Sequence, residues 1–305
     1  MSLDQPIRLQ PEERPPVGLF VGLATLDVVH RVAHHPTANE KVTAEAQFLA
    51  AGGPATGAAV TFAALGGRAL LLTALGRSAV ARLIGAELHE LGVEVIDAAE
   101  GQDLTPPVSA VRVSASTGER SVVSLDAVAS RVRPPDGVAE LVSAADVVLV
   151  DSHHPLLGLA AARAAGRLGI PTIVDAGRWK PVMAELARLV EVMACSADFR
   201  LPSCPDSTSS AARLIEQGVP AVVVTSGAGP VLWWSGTSRG AVDVPPVHAV
   251  DTLGAGDAFH GALAFYTVRP DLDLPSRLSA AVRVAGLRVS RVGPRSWLRL
   301  LSDLP

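Results

Sequence analysis

From residue 17 onward, short apolar runs rich in β-branched residues alternate with segments of helical spacing. Strands are expected over 17–23, 69–74, 93–96, 147–150, 172–174, 190–194 and 221–225. Helices are expected over 58–65, 80–91, 138–144, 156–168, 182–189, 210–217 and 278–292. A strand that returns through a helix lies parallel to its predecessor, so the chain should fold as an α/β protein with a mostly parallel sheet flanked by helices. Residues 1–16, polar and rich in proline, read as a flexible N-terminal tail. Residues 17–305 read as a single domain, because no linker divides them.

Two stretches break the alternation. Segments 28–32 and 42–49 are short and strand-like, and 108–113 and 121–125 form a hairpin around Ser116-Thr117-Gly118-Glu119. Together they suggest a separate small sheet, whose exposed apolar face would need a partner.

Composition narrows the function. The net charge is -4 and no basic run is present, which gives no electrostatic reason to expect nucleic acid. No apolar run of about 18 residues suggests a membrane span. With only Cys195 and Cys204 in 305 residues, a reducing, cytoplasmic setting is expected. His30, His34 and His35 are poorly spaced for a metal. No glycine-rich loop ends in GK[ST], and Lys41 and Lys180 are the only lysines. Any phosphate must therefore be met by backbone amides, arginine or metal.

The stretch VDTLGAGDAFHGAL, residues 250–263, places Gly254, Ala255 and Gly256 at a helix start. The first amides of a helix lack intrahelical acceptors, and glycines let a ligand approach them closely. Asp257 would stand beside an anion held there. It is either a helix cap or a general base that takes a proton from the group attacking that anion. His260, three residues on, falls on the same helical face and reads first as a hydrogen-bonded wall residue.

DTLGAGDAF resembles the C-terminal signature of the ribokinase family of carbohydrate kinases. The resemblance implies a ribokinase-like fold with a small β-sheet lid, its strands within about 28–49 and 108–125, and an ATP-dependent kinase that phosphorylates a small sugar. It makes Asp257 the base and Gly254 to Gly256 the anion hole. VGLATLDVV is similar to the family's opening strand, in which Asp27 binds sugar hydroxyls, and looks nearest to ketohexokinase-like members. Gly52 and Gly53 match the family's glycine pair, but Gly57 stands where an asparagine is usual.

Thr225, Gly227 and Gly229 resemble the nucleotide-contacting turn, with Pro230 in place of its last glycine. Ser196 and Phe199 replace the asparagine and glutamate of the magnesium motif, which implies Mg2+ held mainly by water and phosphate, with Asp198 as a helper. Asp251 either helps to hold a monovalent cation such as K+ or only orders its turn. The lid also implies a homodimer. A nucleoside kinase of the same fold and a non-catalytic sugar or nucleotide sensor are the alternatives.

Overall fold

The structure, a computed structural model, describes residues 14–304. The expected tail therefore lies outside it, apart from residues 14–16. Those three are anchored: Arg14 pairs with Asp146, and the Pro16 carbonyl accepts the Arg68 amide at 2.8 Å.

Nine strands form the large sheet, and seven of them are parallel. These are β1 (Val17–Val21), β4 (Arg68–Thr73), β5 (Val93–Asp97), β8 (Val147–Val150), β9 (Thr172–Ala176), β10 (Val192–Ser196) and β11 (Ala221–Ser226). Antiparallel β12 (Gly229–Ser235) and β13 (Ser238–Val242) complete one edge, in the order β13-β12-β11-β10-β9-β8-β1-β4-β5. The short polar start of β13, Ser-Arg-Gly, carries no apolar run, so sequence pattern did not signal it.

Strand alternation sorts the core into two layers. Phe20 and Leu149 turn toward the layer holding α1 (Pro54–Ala64), α2 (Ala79–Glu90), α7 (Ala255–Thr267) and α8 (Leu274–Val289). Leu19, Val21, Val148 and Val150 face the layer of α3 (Val138–Ser143), α4 (Pro155–Leu168), α5 (Met183–Leu186) and α6 (Ser207–Glu216). With few aromatics available, alanine-rich α1 and α7 pack closely, and Phe62 stacks edge-on between Phe20 and Phe265.

Three helices differ from expectation. The segment 182–189 holds only four helical residues, because Arg188 and Leu189 bond three residues back in tight turns. Pro54 lies in the first turn of α1, so Gly57 sits inside the helix rather than ahead of it. Helix α8 starts earlier than residue 278, at Leu274, where Asp273 caps the Ser276 amide at 2.9 Å.

The small sheet is formed by β3 (Ala46–Gly52), β2 (Thr25–Val32), β6 (Val108–Ser114) and β7 (Arg120–Val123), in that order. Its β2 leaves the carboxyl end of β1 after only three residues, which carries Asp27 to the end of the large sheet where ligands gather.

Candidate active site

A cleft opens between the small sheet and the amino end of α7. Asp27 (β2), Gly52 (β3), Gly57 (α1), Gly254 and Asp257 all line it. Five residues predicted from three separate stretches thus meet in one place.

Gly254 caps α7 with φ 70°, a left-handed turn that L side chains rarely adopt, and no side chain caps the helix. Asp257, in the first turn, is half-buried on the cleft side. Among the described residues no cap or ion pair engages its carboxylate, so the cap alternative fails. Burial, and then the nearby Asp175 carboxylate, push Asp257 up to about 7, against the pull of His260 and Arg120. A carboxylate poised near neutrality is suited to general-base work.

Behind it, His260 Nδ1 lies 3.0 Å from Asp175 Oδ2, and both side chains are buried. Neither ring nitrogen has an aligned hydrogen bond, so charge rather than directed bonding holds the pair. Burial works against a charge on either group, yet each supports the other: His260 stays above its usual value and Asp175 below. His260 is therefore a buried charge partner of Asp175 and an electrostatic neighbour of Asp257.

Asp27 accepts a 2.7 Å hydrogen bond from Thr25 Oγ1. Burial raises its carboxyl above the ordinary range, while hydrogen bonds from Thr25 and Ser109 pull it back. A Cβ on Gly52 would sit 2.1 Å from Asp27 Oδ2, so glycine is required beneath the carboxylate. Gly53 has a different task. It caps α1 against the Leu23 carbonyl, 2.2 Å from where a Cβ would be, and does not line the cleft.

Thr225, Gly227 and Gly229 also lie outside the cleft. Thr225, the last but one residue of β11, lies opposite Ser196, and Gly227 lies in the turn that Ser226 and Gly229 close. Asp198 is exposed just beyond β10. Phe199 is fully buried, edge-on to Trp179, so position 199 points into the core and could not supply a metal ligand. Asp151, at the end of β8, is structural: its Oδ2 accepts the Leu23 and Ala55 amides at 2.8 and 3.1 Å.

Sequence reasoning missed two arginines in the cleft wall. Arg295 donates to Glu87 Oε1 at 2.9 Å and to the Ala51 carbonyl, tying the chain after α8 to α2 and β3. Arg288 is 2% exposed and pairs with Asp251. A signal existed for it, since Arg288 falls four residues after Val284 on the buried stripe of α8.

The fold agrees with comparisons to known proteins. A mouse ribokinase is 26% identical over 318 residues, covering 99% of this chain and 97% of its own. The structure of ribokinase from Giardia lamblia superposes with a TM-score of 0.78 at 17% identity, covering 95% of this chain and all of that one. That of Arabidopsis thaliana ribokinase complexed with ribose and ATP gives 0.74 at 23% identity, covering 95% and 99%. The profile described as pfkB family carbohydrate kinase matches residues 19–299. The chain belongs to the pfkB family of carbohydrate kinases, phosphotransferases that act on a sugar hydroxyl.

Proposed function

We propose that this kinase moves the γ-phosphoryl group of ATP to a hydroxyl of a small sugar, with Asp27 holding the sugar and Asp257 taking the proton. The carrying observation is that both carboxylates line one cleft at a glycine-capped helix start. Asp27 can accept hydrogen bonds from two sugar hydroxyls at once. As the hydroxyl oxygen attacks phosphorus, its proton passes to Asp257, the new O–P bond forms and the bridging bond to ADP breaks. The amides of Gly254, Ala255 and Gly256 receive the charge of the travelling group.

The turn carrying Thr225, Gly227 and Gly229 is assigned to the nucleotide. Among the described residues no cluster of three His, Cys, Asp or Glu side chains could hold a metal. Asp198 would help to hold Mg2+ bound with the nucleotide phosphates, and the ion would supply charge neutralisation there. Exposed Leu49, Val122 and Val123 on the small sheet support a homodimer through the lid. Free Cys195 and Cys204 support a cytoplasmic setting.

A nucleoside acceptor would need an aromatic face. Trp297 lines the cleft but is 3% exposed, with its indole nitrogen bound to the Pro294 carbonyl, which favours a sugar. The test is ADP release across a panel of sugars and nucleosides, for the wild type and Asp257→Ala. The variant should lose about 100-fold or more in kcat and keep its nucleotide affinity. Near-normal turnover would refute the role of Asp257, and binding without turnover across the panel would favour a sensor.

A further inference from the structure

The family resemblance implies a monovalent cation at Asp251, and the residues around that carboxylate do not fit one. Its Oδ1 accepts the Leu253 amide at 3.0 Å and its Oδ2 the Gly293 amide at 3.0 Å. Arg288 Nη2 lies 3.2 Å from Oδ2, not aligned for a hydrogen bond, so this contact is an ion pair. Arg288 Nη1 donates to the Arg291 carbonyl at 3.1 Å and, more loosely, to the Asp251 carbonyl at 3.5 Å. A carboxylate and two backbone carbonyls are donors suited to an alkali ion, and the guanidinium already stands among them.

A second positive charge about 4 Å away would be repelled strongly enough to weaken its binding by roughly 10² to 10³-fold. Arg288 also has a position from which to act. Its Nε lies 3.8 Å from where a Cβ on Gly254 would be, and the side chain lines the cleft with Asp257. Burial lowers the Arg288 guanidinium from its ordinary value, Asp251 pulls it back up, and a guanidinium stays charged near neutral pH.

We infer that Arg288 is a built-in cation: it occupies the place of a monovalent ion beside Asp251 and supplies its positive potential behind the anion hole. Phosphoryl transfer by this chain is then independent of alkali ions. The catalytic half of this inference rests on the kinase reading, whereas the occupancy half does not.

The experiment compares wild type, Arg288→Ala and Arg288→Lys in Tris chloride alone and with added NaCl, KCl, RbCl or guanidinium chloride, at matched ionic strength. Two readouts are taken, phosphorylation rate and melting temperature, and wild-type crystals soaked in RbCl are measured for anomalous scattering. The wild-type rate should vary by less than about twofold among the salts. Arg288→Ala should fall about 100-fold and recover at least about tenfold with K+ or guanidinium. Its melting temperature should rise in those salts relative to Tris, while wild type and Arg288→Lys show no such rise.

Activation of the wild type by K+ of about tenfold, or a rubidium peak within coordination distance of Asp251, would overturn the inference. So would an Arg288→Ala variant that is fully active in Tris alone. Should no acceptor be found, the melting and scattering results still decide whether Arg288 or an ion holds the site. The wild-type measurements stand even where Arg288→Ala does not fold.

Discussion

A Cβ on Gly57 would lie 2.6 Å from the Cβ of Asp257, closer than real atoms approach. The same crossing of α1 and α7 is repeated one turn on, where a Cβ on Gly261 would lie 2.3 Å from the Ala58 carbonyl oxygen. The glycines are what let the two helices meet this closely, and at Gly57 the contact falls on Asp257, the carboxylate proposed as the base.

Gly57→Ala must therefore shift Asp257 or part the helices. Overpacking of this kind costs about 1 to 3 kcal/mol of stability, and a displacement of about 1 Å at the reacting group can cost about 100-fold in rate. Gly261→Ala, with a comparable clash farther from the carboxylate, should destabilise without a matching loss of kcat. Melting temperatures and kcat for both variants check this, and equal kcat values would remove the special status of position 57.

The acid limb of the reaction should report Asp257. Its working form is the carboxylate, and its pKa is raised to about 7. Activity is thus present above that value and lost as pH falls through it, with log kcat/KM dropping one unit per pH unit. His260→Gln removes a cation that lowers the Asp257 pKa and leaves the carboxylate of Asp175, which raises it. Loss of the His260 charge, with Asp175 left in place, moves the limb to higher pH. The variant should be several-fold slower at pH 7 and approach the wild type near pH 9, whereas a structural defect would depress the rate at every pH.

Asp27→Asn tests the sugar side. An amide keeps one acceptor oxygen and loses the charge, and hydrogen bonds to charged groups contribute about 1.5 to 3 kcal/mol. The KM for sugar should rise about 10 to 100-fold, with nucleotide affinity unchanged, measured by titrating each substrate separately. A KM within twofold of the wild type would remove Asp27 from the binding site.

Alternation of apolar runs with helical segments announced the large sheet, since strands buried on both faces leave continuous apolar runs in residue order. The candidate site at the start of α7 was legible for a related reason: Gly254 and Asp257 are neighbours in sequence and share one local backbone turn. Asp175, Arg288 and Arg295 were harder, because each works through contact with a residue far along the chain, namely His260, Asp251 and Glu87. Strand β13 lacked an apolar run because it closes an edge by pairing with β12. Position 57 was noticed only as a missing amide, and its closeness to Asp257 follows from a helix crossing that no local pattern encodes.

The small sheet is fastened at its hairpin tip to the loop that precedes α7. The Gly118 carbonyl accepts both the amide and the hydroxyl of Thr252, each at 3.0 Å, and Arg31 of β2 bridges the carbonyls of Val250 and Ala115 at 3.0 and 3.3 Å. Gly118 has φ 70°, and a Cβ there would lie 2.8 Å from the Ala249 carbonyl oxygen, so Gly118→Ala must lift the tip from the loop. Thr252→Val removes only one hydroxyl bond, worth about 1 kcal/mol, or roughly fivefold. If closure of this sheet excludes water from the travelling phosphoryl group, kcat/KM should fall in the order wild type, Thr252→Val, Gly118→Ala. ADP formed without sugar, relative to sugar-dependent turnover, should rise in the same order. Both quantities come from one coupled assay run with and without sugar, and a Gly118→Ala enzyme matching the wild type in both would separate the tip contact from catalysis.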